Sequence, residues 1–445
     1  MSTSSTSSTS SASSTTSTLV PLMIIAALFF IFGFVTWING ALIPFMKTIN
    51  ELTAAQSYLV ASASYISFVV MALPSSAILE KIGYRKGMSI GLFVMAIGAL
   101  VFIPAANARM YWLFLVGIFI QGSGMTLLQT AANPYVTILG PIESAAKRIS
   151  VMGIANKVAG ALGSLIFGAL LLSGIDEVNE KLSTVSGPEK EVLLDTMANS
   201  VYVPYIVMAA VLALLAILIR KAPLPHVEAE PIKETDKGQT EKTSIFQFPQ
   251  LILGVITLFM YVGVEVIAGD SIIAYGLSLG LPVEQAKWFT TFTLFAMVGT
   301  YALGVILIPK VISQKTALLM SGLLGIVLSL VIVNTTGFTS VLLVASLGIA
   351  NALVWPAVWP LALDVLGKFT KTAAAVLIMA ISGGAILTPL YGRLVDYLNE
   401  SYLSNGMEEA AAMSLSANQG YWILLPAYII IFLYAVKGHK IKSWS

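Results

Sequence analysis

Residues 251–279 read LILGVITLFMYVGVEVIAGDSIIAYGLSL, an apolar run that contains two acids, Glu265 and Asp270. An α-helix needs roughly 20 mostly apolar residues to cross a bilayer, and this run is long enough. A carboxylate that faces hydrocarbon is costly, so an acid inside such a helix normally faces a polar pathway or a partner. We therefore predict a membrane-spanning helix whose two acids take part in binding a substrate or a coupling ion.

The rest of the chain has the composition of a membrane protein. Only 10% of its 445 residues are charged and 57% are hydrophobic, whereas soluble domains carry about 25% charged residues. The net charge of +2 gives no reason to expect a nucleic-acid partner, and the absence of cysteine excludes disulfides and thiol catalysis. His226 and His439 lie in polar segments, so the sequence predicts no cofactor and no histidine proton relay inside the membrane.

Apolar windows of this length recur along the chain and predict twelve membrane spans. The first 18 residues are almost all serine and threonine and predict a disordered tail. A charged segment at 222–248 predicts a cytoplasmic linker between six-helix bundles at 19–221 and 249–445. The predicted spans are 19–46, 55–79, 87–106, 109–138, 149–173, 198–219, 250–279, 285–308, 314–334, 338–366, 371–392 and 417–436. This pattern predicts an all-α membrane protein with the major facilitator fold, whose binding site lies near the membrane midplane between the halves.

Basic residues predict the orientation of the spans, because lysine and arginine concentrate in cytoplasmic loops. The loops after the second, fourth, sixth, eighth and tenth predicted spans all carry basic residues, as does the C-terminus. On the opposite face, the loop at 176–195 has six acids and two lysines. We therefore expect both termini in the cytoplasm.

The two halves also resemble each other in sequence. FFIFG at 29–33, in the first predicted span, aligns with FMYVG at 259–263, in the seventh. Continuing this alignment without a gap pairs Gly40 with Asp270. The match predicts that the first and seventh spans occupy equivalent positions in the two bundles.

Polar side chains inside the predicted spans give a candidate substrate site. Gln129 and Asn133 share a helix face, as do Asn351 and Trp355. Carboxamides can hydrogen-bond sugar hydroxyls, and an indole can pack on the C–H face of a sugar ring. Two structural alternatives stay open, because carboxamides also join membrane helices and tryptophans also anchor spans at the interface. The predicted substrate-binding residues are Asn39, Gln129, Asn133, Asn156, Lys157, Glu265, Asn351 and Trp355.

Two further charged residues each have more than one interpretation. Lys157 lies well inside a predicted span, where it could extend to the interface, donate to a sugar hydroxyl or pair with an acid. Asp364 lies near the predicted cytoplasmic end of the tenth span. That place favours a structural cap or an ion pair at a gate over substrate binding.

Several stretches resemble a known family. FFIFGFVTWINGALIP at 29–44 and QTAANPYVTILGP at 129–141 resemble the fucose–proton symporter family. NKVAG at 156–160, YVGVEV at 261–266 and WPAVWPLAL at 355–363 resemble its glucose/galactose transporter branch. The resemblance implies the major facilitator fold and sugar transport across a bacterial inner membrane.

The departures from that family concern its acids. Fucose–proton symporters have an aspartate where we align Gly40 and a glutamate where we align Gln129, and these acids serve proton coupling and sugar binding. Neither residue ionises here, so that proton route does not carry over. Because Asp270 aligns with Gly40 across the repeat, we expect Asp270 to be the coupling acid, with Glu265 as a second Na⁺ ligand. Sodium is favoured over the proton, since oxygen ligands suit a hard cation and the resemblance includes sodium-coupled hexose transporters.

The sequence thus predicts a monomeric, lipid-embedded importer of a neutral hexose such as glucose or galactose, with Na⁺ as coupling ion. The alternatives are a proton-coupled symporter of fucose or N-acetylglucosamine, a sugar sensor that does not transport, and a multidrug exporter. A sensor would need a large output domain, and an exporter would favour a pocket rich in methionine and aromatic residues. No nucleophile–base pair or metal-ligand cluster is evident in the sequence, so we do not expect an enzyme.

Overall fold

The computed structural model describes residues 13–52, 54–138, 145–171, 175–222, 242–364 and 366–444. Within these ranges, 12 helical segments are long and apolar enough to cross a membrane, which confirms the predicted number. Numbered as spans 1 to 12, they are Val20–Ile49, Leu59–Ile82, Tyr84–Asn107, Tyr111–Asn133, Lys147–Leu171, Pro188–Lys221, Pro249–Asp270, Val283–Leu307, Gln314–Val333, Gly337–Leu363, Thr372–Ser404 and Glu409–Lys440.

Several spans are built from more than one helix. Short 3₁₀ turns at Ile245–Gln247, Gly367–Phe369, Ala380–Ser382, Gly420–Ile423 and Gly438–Lys440 precede, join or follow some of them. In chain order the described α-helices are α1 Ser13–Trp37, α2 Asn39–Ile49, α3 Ala54–Ser57, α4 Leu59–Ile82, α5 Tyr84–Asn107, α6 Tyr111–Ile138, α7 Ala145–Leu171, α8 Ile175–Thr184, α9 Pro188–Asn199, α10 Tyr202–Lys221, α11 Pro249–Asp270, α12 Ile272–Ser278, α13 Val283–Ala286, α14 Phe289–Leu307, α15 Gln314–Val333, α16 Gly337–Ala352, α17 Val354–Leu363, α18 Thr370–Met379, α19 Gly383–Ser404, α20 Glu409–Gln419 and α21 Leu424–Val436.

The helices pack as two halves that face each other. In the first half α5 packs against α6 and α10, and α1 packs against α7. In the second half α14 packs against α16, α15 against α21, and α11 against α19. Between the halves, α7 contacts α14 and α4 contacts α18 and α19. Large apolar side chains such as Val203 and Ile306 are exposed on the outside, as is expected of a surface that faces lipid.

Span 1 contains an interruption and span 7 ends at one, at nearby places in the repeat. Span 1 breaks at Ile38, between α1 and α2, and the seventh helical segment breaks at Ser271, between α11 and α12. The alignment of Gly40 with Asp270 places these breaks within a few residues of each other. The interruptions therefore belong to equivalent helices of the two halves.

The structure differs from the sequence prediction at the N-terminus. Residues 13–18, expected to belong to a disordered tail, are the start of α1. Extending an existing helix adds one hydrogen bond for each residue fixed and needs no new nucleus, so a serine- and threonine-rich segment can continue a hydrophobic helix. Residues 1–12 and most of the predicted linker, 223–241, lie outside the described residues, and the predicted domain boundaries stay a prediction.

Candidate functional site

A cavity of about 120 Å³ lies between the two halves. Pockets for small molecules commonly measure about 300–1,000 Å³, so this cavity is smaller than most of them in the conformation described. It draws on helices from both halves, which places it where the repeat predicts a site. The cavity is lined by Phe29, Phe32, Thr36, Trp37, Tyr65, Phe68, Gln129, Asn133, Ile149, Gly153, Asn156, Lys157, Tyr261, Val262, Glu265, Val266, Tyr301, Trp355 and Ile381.

An ion pair joins the two halves in the wall of the cavity. The Lys157 ammonium, on α7, donates a hydrogen bond to Oε1 of Glu265, on α11, and both side chains are 9% exposed. The same ammonium lies 4.5 Å from the centre of the Trp37 ring, which adds a cation–π contact. The structure confirms that Lys157 is the partner of an acid and does not extend to the interface.

Three predicted carboxamides lie together on the cavity wall. Asn133 donates a hydrogen bond of 3.1 Å to the Gln129 carbonyl, one turn earlier in α6. Asn156, in α7, donates a bond of 3.3 Å to the Phe29 carbonyl of α1. The three residues thus combine a local structural role with a place in the lining, where their amide groups can meet a polar solute.

Aromatic rings form much of the remaining wall. Trp355 lines the cavity and stacks on Trp359, with the ring centres 5.4 Å apart and the planes at 25°. Trp359 is itself only 1% exposed, so it supports Trp355 from behind. Tyr261 lies one helical turn before Glu265, and Tyr301 approaches from α14. A cavity lined by both amides and aromatic faces suits a ligand that has both hydroxyl and C–H surfaces.

Asp270 lies beyond this lining, as the last residue of α11. Its side chain is 4% exposed, and among the described residues none donates a hydrogen bond to its buried Oδ2 atom. The next residue, Ser271, bonds to the Tyr421 hydroxyl at 2.9 Å, so the break in the helix is anchored to span 12. The structure thus places Asp270 next to the site but in a separate, closed environment.

The structure corrects the placement of Asn351. This residue is fully buried outside the cavity, and its Oδ1 accepts a 2.7 Å hydrogen bond from the Tyr428 hydroxyl of α21. The face expected to join it to Trp355 is broken, because α16 ends at Ala352 and α17 begins at Val354. Asn351 therefore fastens two helices of the second half together and does not face the cavity.

The outcomes for Asn39, for Asp364 and for the predicted Na⁺ ligand Glu265 differ from one another. The side chain of Asn39 lies outside the described residues. Asp364 forms an exposed ion pair with Lys442 of the C-terminal segment at 2.8 Å, which confirms an ion pair in place of a substrate contact. The described residues contain no group of three or more acids or histidines arranged to hold a metal ion. Glu265, one of the two predicted Na⁺ ligands, is paired through its Oε1 atom with the Lys157 ammonium.

Sequence reasoning missed most of the aromatic lining. Trp37, Tyr261 and Tyr301 line the cavity but were not selected as site residues. Within apolar spans, an aromatic residue is as compatible with the core as with a ligand site, so composition gives no signal. A weak signal existed for Trp37, since it stands between the polar residues Thr36 and Asn39 in the first span.

Comparison with known proteins identifies the family. The sequence profile of the Major Facilitator Superfamily matches residues 25–389. The chain is 34% identical over 376 residues, 83% of its length, to 86% of the glucose/galactose transporter of Brucella abortus biovar 1 (strain 9-941). It is 28% identical over 384 residues, 85% of its length, to 87% of the L-fucose-proton symporter of Escherichia coli (strain K12).

The fold matches that of a solved transporter. The crystal structure of the transporter FucP in its outward conformation superposes with a TM-score of 0.73 and 25% sequence identity, covering 96% of this chain and 100% of that one. The proteins in this comparison are transporters, in agreement with the expectation that the chain is not an enzyme. The profile, the relatives and the fold together show that the chain belongs to the Major Facilitator Superfamily.

Proposed function

We propose that this protein is a secondary active sugar importer that moves a neutral hexose across the bacterial inner membrane together with a cation. The single observation that carries the proposal is the cavity between the halves, where carboxamides and aromatic faces surround a charge-compensated ion pair. The names of the relatives, a glucose/galactose transporter and an L-fucose-proton symporter, support the same class of substrate. Both termini are placed in the cytoplasm, following the basic loops.

The charge of the cavity favours a neutral substrate. Lys157 and Glu265 compensate each other, and the other polar groups of the lining are amides and hydroxyls. An acidic sugar would have to draw the Lys157 ammonium away from its partner, and leaving a buried charge unpaired is costly. Glucose and galactose are the preferred candidates, and fucose and N-acetylglucosamine are the other neutral sugars to test. The cavity is formed within one chain, so a monomer in lipid suffices.

The proton, more than sodium, suits the described residues as the coupling ion. Glu265 already has a cationic partner, which leaves Asp270 as the acid available for coupling. One buried carboxyl group can take up and release a proton, whereas sodium needs several oxygen ligands around one point. This preference reverses the expectation from sequence. A proton symporter among the relatives is consistent with it.

Transport would then proceed by alternating access, in which the two halves separate at one end and then at the other. The sugar would bind to the amides of the first half and to Trp355 of the second, so its binding links the halves. Protonation would remove the charge of Asp270, which lowers the cost of keeping that group buried while the halves move. The ion gradient therefore drives accumulation through Asp270, and the sugar contacts determine selectivity.

Uptake into proteoliposomes tests the proposal. A panel of radiolabelled glucose, galactose, fucose and N-acetylglucosamine is offered under a proton gradient without sodium, and under a sodium gradient at constant pH. We expect accumulation of a neutral hexose that follows the proton gradient, and loss of accumulation with retained exchange in Asp270→Asn. The exposed acid provides the control, since Asp364→Asn should leave both activities intact. Accumulation driven only by sodium would reverse the choice of ion, and no hexose transport at all would refute the function.

A further inference from the structure

Trp37 is held in a slot formed by two glycines, one from each half of the protein. The indole packs on Gly160 of α7 and on Gly269 of α11, and a methyl group at either position would overlap the ring. Trp37 is the last residue of α1 before the break in span 1, and Gly269 lies two residues before the break at Ser271. The ring therefore connects the interruptions of the two equivalent spans.

The same slot is directly linked to the buried ion pair. Gly160 lies three residues after Lys157 on α7, and Gly269 lies four residues after Glu265 on α11. Residues at these spacings share a helix face. Each glycine thus lies beside one member of the ion pair, and the Lys157 ammonium lies 4.5 Å above the centre of the Trp37 ring. If the halves separate, the ring must lose its contact with Gly269, because Trp37, Gly160 and Lys157 all belong to the first half.

The ring also adjoins both the cavity and the residue that precedes Asp270. Trp37 lines the cavity and packs on Gly269, which directly precedes the buried Asp270 in α11. Only 3% of the Trp37 surface is exposed, so the slot is filled. A solute that contacts this indole is therefore one side chain away from the last turn of α11.

We propose that Trp37 is a positioning residue that couples the sugar cavity to Asp270, by occupying the slot between Gly160 and Gly269 when the halves are closed. This inference rests on the proposed function. With the ring in the slot, sugar and coupling ion move in the same conformational change. With the ring displaced, the halves can close whether or not Asp270 has bound the ion. The sugar then crosses without the ion.

Alanine at the two glycines tests the inference, because it displaces the Trp37 ring without replacing any residue of the cavity lining. In Gly160→Ala and Gly269→Ala we expect sugar exchange at equilibrium to continue. The steady-state accumulation ratio under an ion gradient should fall about fivefold or more, the scale of a lost coupling between two sites. The ratios are compared in vesicles with matched exchange rates, because passive leak makes the plateau depend on the number of active molecules. At matched exchange a purely structural defect does not lower the plateau.

Two controls sharpen the experiment. Gly168→Ala on α7 and Gly299→Ala on α14 add a methyl group to open space, and both should retain the accumulation ratio of the parent. Trp37→Phe in the Gly269→Ala background removes the outer ring atoms that the new methyl group would meet, and should restore part of the ratio.

The results separate this inference from the proposed function. Failure of the parent protein to accumulate any hexose counts against the function itself. If the parent accumulates sugar and both glycine variants reach the same plateau, the coupling role of Trp37 is refuted. Equal loss of exchange and accumulation in both variants, with no restoration by Trp37→Phe, would also refute it, since Trp37 would then serve packing alone.

Discussion

Lys157 and Glu265 neutralise each other's charge across the two halves, and both side chains are only 9% exposed. Neither charge is therefore compensated by water when its partner is removed. Glu265→Gln should leave the Lys157 ammonium buried without a counter-charge, and removal of one partner from a buried pair costs about 3–5 kcal/mol. We therefore expect a clearly lower unfolding temperature for purified Glu265→Gln. Thermal unfolding in detergent, followed by intrinsic fluorescence, measures this change.

Two comparisons identify the cause of that loss. Replacing both partners, as in Lys157→Met with Glu265→Met, removes both charges and should recover much of the stability. The exposed pair of Lys287 with Glu284 serves as the matched control, and Glu284→Gln should change stability by less than about 1 kcal/mol. Similar losses in Glu265→Gln and Glu284→Gln would contradict a special role for the buried pair.

At this scale the sequence predicts which residues are unusual but does not predict their partners. Lys157 and Glu265 stand out because charges are rare inside spans, yet they are 108 residues apart and only the packing of α7 near α11 shows that they meet. Asn351 stands out for the same reason, although it holds helices together. A polar residue inside a span is therefore predicted to have a structural or a functional role, and the tertiary structure shows which of the two it has.

Among the helices, the break between α16 and α17 separates a packing contact from a cavity contact. Tyr428→Phe removes the donor to Asn351 and leaves a buried carboxamide oxygen unpaired, which costs about 1–3 kcal/mol. We expect reduced thermal stability with an unchanged KM for sugar. Trp355→Ala, which truncates a cavity wall, should instead raise KM. An equal increase of KM in Tyr428→Phe and Trp355→Ala would indicate that Asn351 does belong to the substrate site.

Helix interruptions account for most of the difference between the predicted and observed elements. Hydropathy identifies a span by its length and apolar character. Neither property changes when the helix is interrupted at a single residue. The break at Ser271 follows the sequence Gly269-Asp270, which is only a weak indication within an apolar run. The repeat alignment is more informative, because it pairs the interrupted part of span 1 with the end of span 7, where the next break lies.

In the whole molecule, the two halves touch on more than one side of the cavity. Near the start of span 2, the Ser62 hydroxyl donates a 3.0 Å hydrogen bond to the Ala385 carbonyl of α19. Elsewhere, Gly153 of α7 packs directly against the Tyr301 ring of α14. The number of spans, the two halves and the location of the site follow from hydropathy and the repeat. The contacts between the halves cannot be predicted from hydropathy or the repeat, because they depend on how far the two bundles have rotated.

The absence of native cysteine allows the movement of the halves to be tested directly. A Ser62→Cys, Ala385→Cys variant joined by a short thiol cross-linker should lose sugar exchange, because alternating access requires the halves to separate there. Reversal of the cross-link should restore exchange. The matched control uses the same kind of contact within one half, where the Ser89 hydroxyl donates to the Ala216 carbonyl at 2.8 Å. Cross-linked Ser89→Cys, Ala216→Cys should continue to exchange sugar. Undiminished exchange by the cross-linked Ser62–Ala385 variant would show that this contact persists throughout the transport cycle.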